Sequence, residues 1–261
     1  MGKIIVVTSG KGGVGKSTIA ANIAFGLAFD GRKILLIDMD TGLRSLDLML
    51  GTENELVFDL NDVLDGICTC EQAVFEVSRR PGLYMLPASQ NIGSSAIKPQ
   101  DVRALFATLK DTYDYIILDC PAGIERGFRN AVSAAESAIL VITPDYVSLR
   151  SGERAFQLLT GEGVTDIQLI VNRIGRKPAV SLDECVRRME LPVLGFIPED
   201  PKVSRMIAGG KPIIEYETAA GDAFERTVRR ILGENVRYRP PHESLIHRIK
   251  TGFGKESACK S

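Results

Sequence analysis

Residues 10–18 read Gly-Lys-Gly-Gly-Val-Gly-Lys-Ser-Thr, a run of small backbones closed by a lysine and two hydroxyls. Gly10, Gly15, Lys16 and Ser17 fall at the spacing G-x-x-x-x-G-K-S, which is built to hold phosphates. The glycines at 10, 12, 13 and 15 let the backbone approach an anion and turn its N–H groups inward, with the Val14 amide among them. Lys16 is placed to reach the β- and γ-phosphates of ATP, and the Ser17 hydroxyl to ligate Mg²⁺. Thr18 completes the loop at the start of an Ala- and Ile-rich helix, whose N-terminus adds partial positive charge. The bland reading is coincidence, at roughly one chain in a hundred of this length. A strand directly before the loop and a helix directly after it make coincidence rarer still.

Three aspartates stand at the ends of apolar runs. Ile34-Leu35-Leu36-Ile37 leads into Asp38-Met39-Asp40, and Ile116-Ile117-Leu118 leads into Asp119. Ligands of open α/β sheets bind outside the carboxyl ends of the strands. Asp38 and Asp119 are therefore candidates for the Mg²⁺ shell, and Asp40 for orienting an attacking water. An aspartate at a strand end also caps turns, but the pairing with a phosphate loop favours chemistry.

The elements that must carry these residues are readable from periodicity. Short β-rich apolar runs at 3–8, 33–38, 83–87, 115–119, 138–143, 167–172 and 193–197 alternate with segments of helical period. Helices are expected at 16–29, 57–64, 99–109, 127–134, 149–159, 182–189, 201–208 and 218–232. This alternation predicts an α/β fold: a mostly parallel twisted sheet with helices on both faces. No linker divides the chain before about residue 234, so the reading is a catalytic domain over 1–236 and a basic tail over 237–261.

Bulk numbers narrow the class. The 261 residues are 44% hydrophobic and 25% charged, with a net charge of −1. That balance is ordinary for a folded domain and unlike a surface made for bulk nucleic-acid binding. Residues 237–261 hold six Lys/Arg against two Glu, so the tail is basic and the body before it acidic. Cys68, Cys70, Cys120, Cys185 and Cys259 contain no Cys-x-x-Cys pair, which favours reduced thiols over a metal site. No apolar run has the roughly 20 residues of a spanning helix, and the strand-like start favours a cytoplasmic protein without a leader.

Lys11 is not needed to cradle phosphates, yet it sits inside the loop. From Lys11 to Ser17 the chain matches K-G-G-x-G-K-[ST], and so resembles the deviant Walker A family of P-loop ATPases. Within that family the MinD branch is matched by the opening run 4–16, by Thr41-Gly42-Leu43-Arg44-Ser45-Leu46-Asp47, and by Leu86-Pro87-Ala88-Ser89-Gln90. Asp119-Cys120-Pro121-Ala122-Gly123-Ile124-Glu125, Ile170-Val171-Asn172-Arg173 and Gly195-Phe196-Ile197-Pro198-Glu199-Asp200 match it too.

The resemblance covers about residues 1–233. It implies an ATP-sandwiched homodimer in which Lys11 reaches the partner's nucleotide, with Lys11, Lys16 and Asp40 as the catalytic set. It further implies adenine contacts at Asn172, Pro198, Glu199 and Asp200, slow partner-stimulated hydrolysis, and placement of the division site. The partners implied are a MinC-like septum inhibitor and a MinE-like or other topological regulator. Two rivals from the same family are a partition ATPase that binds DNA, disfavoured by the acidic body, and a flagellar-number regulator. At Ser151 and Glu153 the branch typically carries aspartates, so partner identity is the weakest part of the resemblance.

In the tail, Leu245, Ile246, Ile249 and Phe253 fall on one arc of a short helix, flanked by Arg248 and Lys250. A basic amphipathic segment reads as a membrane-surface anchor. Four apolar side chains supply about 1.5–3 kcal/mol each when buried, against about 1–2 kcal/mol per ordered backbone residue. One copy should grip an anionic membrane weakly. Two copies on a dimer gain about 10²–10⁴ in avidity, so ATP-driven pairing would act as a switch at the cytoplasmic face of the membrane.

Overall fold

Val6 and Val7 point to opposite faces of β1 (Lys3–Thr8), yet neither has any measurable exposure. Only a strand covered on both sides allows that. The computed structural model describes residues 1–40, 45–52, 55, 57–89, 98–121, 123 and 126–239. Among these, β1 is followed by α1 (Lys16–Phe29), β2 (Ile34–Asp38), α2 (Ser45–Leu50), α3 (Leu60–Leu64) and α4 (Cys70–Ala73). Then come β3 (Phe75–Glu76), β4 (Leu83–Leu86), α5 (Pro99–Leu109), β5 (Tyr115–Asp119), α6 (Arg126–Ser133), β6 (Ser137–Ile142) and α7 (Tyr146–Gly161). The described chain closes with β7 (Asp166–Ile174), α8 (Leu182–Met189), β8 (Val193–Pro198), α9 (Val203–Ala208), a 3₁₀ turn (Ile213–Glu215) and α10 (Ala219–Ile231).

The strands form one sheet in the order β3-β4-β2-β5-β1-β6-β7-β8. Every pairing is parallel except the two-residue edge strand β3 against β4. The chain moves to one side of β1 for β2 to β5 and to the other for β6 to β8. The order therefore reverses at β1, the crevice where doubly wound sheets bind ligands.

Alternate residues of each strand feed two cores. Ile4, Val6, Leu35 and Ile116 pack with Phe106 of α5, Phe128 of α6, Leu149 of α7 and Cys185 of α8. Ile5, Val7, Leu36 and Ile117 pack with Ile19 and Ile23 of α1, Leu46 of α2, Met206 of α9 and Phe224 of α10. Helix α1 is buried along almost its whole length, wedged between sheet and α10, which fixes the loop that precedes it.

All seven expected strands are present, and the shifts have local causes. Helix α3 starts at Leu60 rather than residue 57 because Asp59 caps it, accepting from the Asn61 and Asp62 N–H groups while Asp62 reaches back to the Asp59 N–H. Helix α7 starts at Tyr146 rather than 149 because the Asp145 carboxylate accepts the Ser148 N–H at 2.8 Å. Strand β7 runs on to Ile174 through a bulge at which Arg173 takes φ +53°. Helices α2 and α4 and strand β3 were not expected from periodicity, being six, four and two residues long.

The anchor residues Leu245, Ile246, Ile249 and Phe253 lie outside the described residues, as do Ala122, Ile124 and Glu125. No described helix is long and apolar enough to cross a membrane.

Candidate functional site

The loop of residues 10–18 leaves the carboxyl end of β1 and enters α1 without a side-chain cap. The first N–H groups of that helix are left for an anion. Gly13 and Gly15 hold φ of +77° and +94°, the left-handed region where a side chain is strained. Gly15 has a second reason to be glycine: a Cβ there would stand 2.5 Å from Nδ2 of Asn172. At Gly10 a Cβ would stand 1.8 Å from the Ser151 carbonyl oxygen, so the loop begins in backbone contact with α7.

Lys16 and Ser17 open α1 facing the ends of β2 and β5. Those strands pair in register, with Asp38 opposite Asp119. Both carboxyl groups are buried, and Lys16 beside them is only 7% exposed. One oxygen of Asp38 accepts the Asp40 N–H at 2.9 Å, while Oδ2 of Asp38 and both oxygens of Asp119 lack a hydrogen-bond partner. Burial pushes Asp119 up to about 8, reinforced by the charge of Asp38, while Ser17 and Lys16 pull the other way. Burial likewise pushes Asp38 up to about 7 against the pull of the Asp40 N–H. Asp40 is raised by burial and lowered by Lys16.

Buried carboxylates without partners are costly. Two of them beside a hydroxyl make an oxygen donor set that fits a hard divalent cation. Among the described residues no three His, Cys, Asp or Glu side chains form a metal site by themselves. A cation here would draw its remaining ligands from water and phosphate oxygens.

On the other side of the loop, Asn172 at the end of β7 is buried and donates from Nδ2 to the Val14 carbonyl at 2.7 Å. A cleft of about 890 Å³ opens beyond it. Gly15, Thr18, Asn172, Pro198, Glu199 and Asp200 all line this cleft, with Ile213 and Phe224 as an apolar wall. The structure thus gathers every residue expected to touch an adenosine around one space, sized for a small ligand.

Lys11 and Gly12 lie apart from that cleft, at the rim of a shallower cavity of about 370 Å³ shared with Asp145, Arg173, Lys177 and Glu199. Lys11 Nζ sits 3.2 Å from both oxygens of Asp145. Burial raises the Asp145 carboxyl, but the Thr143 hydroxyl, the Ser148 N–H and Lys11 together hold it below the usual range. Ser151 donates to the Val147 carbonyl of its own helix, and Glu153 takes two bonds from Arg188 of α8.

Two residues of this region escaped sequence reasoning. Asp145 was visible only as the aspartate three places before Ser148, a capping signal that says nothing about Lys11. Arg173 lines both cavities, and nothing in the chain announces its positive φ.

A family model described as an AAA domain matches residues 2–160. The septum site-determining protein MinD of Synechocystis is 42% identical over 260 residues, covering 96% of this chain and 98% of its own. That of Bacillus subtilis is 39% identical, covering 98% and 100%. Among solved structures, the MinC:MinD cell division complex of Aquifex aeolicus superposes with a TM-score of 0.85 at 39% identity, over 91% of this chain and 98% of that one. MinD of Pyrococcus horikoshii complexed with Mg-ADP gives 0.82 at 30% identity, over 90% and 100%.

Proposed function

Because the chain belongs to the MinD family of septum site-determining ATPases, we propose that it positions the cell-division site by binding and hydrolysing ATP with Mg²⁺. The observation that carries this is the pair Asp38–Asp119, two buried carboxyl groups set in register beside Lys16 and Ser17 with three acceptor oxygens unused. Backbone N–H groups of residues 10–18 and Lys16 hold the triphosphate. Ser17, Asp38 and Asp119 would hold Mg²⁺, which neutralises charge on the β- and γ-phosphates. Asp40 orients the attacking water, its half-buried carboxyl raised by burial and drawn back down by Lys16. Adenine lies in the cleft between Asn172 and Pro198–Asp200.

The finer reading is a cycle. ATP joins two copies face to face, and Lys11 of each crosses to the other's phosphates. Pairing doubles the tails, so Leu245, Ile246, Ile249 and Phe253 hold an anionic membrane only in the dimer. The dimer recruits a MinC-like inhibitor of septation, and a MinE-like or other regulator quickens otherwise slow hydrolysis and releases the protein to the cytoplasm. In support stand the match to MinD proteins over nearly the full length and the place of Lys11 at the open rim of the loop.

The test is light scattering and vesicle sedimentation of the wild type and Asp40→Ala. With ATP and Mg²⁺ the variant should persist as a dimer on anionic vesicles, while Lys16→Ala stays monomeric. A single unpaired subunit under every nucleotide overturns the cycle.

A further inference from the structure

At the far end of α10 from the nucleotide cleft, the chain doubles back and is pinned. Arg230 is half-buried and donates to three carbonyls, those of Leu194, Val236 and Arg237, at 3.0, 3.1 and 3.0 Å. The Tyr238 ring stacks on its guanidinium at 4.1 Å and packs edge-on against Phe196. Segment 236–239 is thereby fixed along the last turns of α10, and the point where the chain leaves toward residues 240–261 is set by folding.

Between that segment and α10 lies a groove of about 280 Å³, lined by Arg226, Arg229, Arg237 and Arg239 together with Asp222 and Glu225. Some of this charge is already matched. Asp222 lies 3.6 Å from Arg226, and Glu234 lies 2.7 Å from Arg229. Arg237 and Arg239 are exposed, and their guanidinium groups pair with none of the described residues. From 219 to 239 the chain carries five arginines and three carboxylates, a local excess of two positive charges on an otherwise acidic body.

We propose that this groove is a phospholipid headgroup site, in which Arg237 and Arg239 clasp the phosphate of an anionic lipid at the root of the tail. The inference rests on the membrane reading above and adds a second contact to it. Paired guanidiniums fit phosphate oxygens bidentately. Both arginines stand on the segment from which the anchor departs, so a tail lying on a bilayer brings the groove within reach of the headgroups. Arg230 and Tyr238 hold the groove in shape beforehand, which lowers the ordering cost of binding.

The full chain, with ATP and Mg²⁺, is sedimented with phosphatidylcholine vesicles made with and without phosphatidylglycerol. Loss of an arginine near an anionic surface weakens binding by about fivefold, so R237Q/R239Q should bind phosphatidylglycerol vesicles roughly thirtyfold more weakly. It should match the wild type on phosphatidylcholine alone. R237K/R239K, which keeps the charge but not the fork, should still lose severalfold. Unchanged binding of the Gln pair, or full retention by the Lys pair, overturns the groove as a site while leaving the anchor standing. Capture of duplex DNA by the wild type, lost in the Gln pair while vesicle binding stays intact, assigns the groove to nucleic acid and also overturns it. A wild type that binds neither vesicle removes the membrane reading and this inference together.

Discussion

Lys11 Nζ lies 3.2 Å from both carboxylate oxygens of Asp145, the residue that caps α7, so the loop's first lysine is held within its own subunit. A lysine so held cannot reach across to a second nucleotide. On the proposed cycle, pairing must break this contact. A partly exposed ion pair of this kind is worth about 0–1 kcal/mol, a light latch. Asp145→Asn keeps a capping oxygen and removes the charge. It should lower the ATP concentration needed for half-maximal dimerisation by about two- to fivefold, read by light scattering. A higher requirement shows that the contact does not restrain pairing.

The carboxyl groups of Asp38 and Asp119 are raised by burial to about 7 and about 8. A carboxyl whose folded value is raised favours the fold at low pH, and that contribution is lost as pH climbs through the folded value. Without Mg²⁺ the protein should therefore lose stability progressively from about pH 4, the ordinary carboxyl value, up to about pH 8, and added Mg²⁺ should restore it with release of protons. Asp119→Asn should raise Tm at pH 9 without Mg²⁺ and leave it unchanged at about pH 3, where the carboxyl is protonated folded and unfolded alike, at about 2–4 °C per kcal/mol for a chain of this size. Calorimetry at the two pH values decides. Equal shifts at both exclude titration at this site as the cause.

Asn172 ties the nucleotide cleft to the phosphate loop through the Val14 carbonyl. Asn172→Ala leaves that carbonyl without its buried donor, at about 1–3 kcal/mol. ATP affinity should fall by roughly tenfold, measured by titration with a fluorescent nucleotide. Hydrolysis at saturating ATP should change far less, since Lys16 and Asp40 are untouched.

Tyr238 donates from its hydroxyl to the Val193 carbonyl and packs against Phe196, so residues 237–239 are bound to the fold. Truncation after Arg239 keeps these contacts and sets the reference Tm. Truncation after Val236 removes the Tyr238 contacts and should lower Tm by several degrees, at about 2–4 °C per kcal/mol lost. Differential scanning of the two truncations checks this. Equal melting would show that the Tyr238 contacts add no stability.

Much of this protein is written in local patterns. The phosphate loop is legible because chemistry fixes its residue types at adjacent positions, and β1, β2, β5, β6 and β7 because strands buried on both faces must be apolar at nearly every place. Helix starts at Asp59, Asp145 and Thr218 moved by one to three residues, because each cap is a side-chain bond that periodicity does not report. Helices α2 and α4 and strand β3 are too short to show a period at all, and depend on neighbours for their burial.

What only the tertiary structure decided are the meetings between distant residues. Asp38 and Asp119 are both recognisable in sequence, but that they stand opposite each other with three carboxyl oxygens unpaired follows from β2 and β5 being neighbours. The grip of Asp145 on Lys11, the bond from Asn172 to Val14 and the contact of Gly10 with Ser151 each join residues more than 130 positions apart. Sequence specifies which groups exist and the period that folds each element. The order of strands, set by packing two apolar faces at once, determines which of those groups touch.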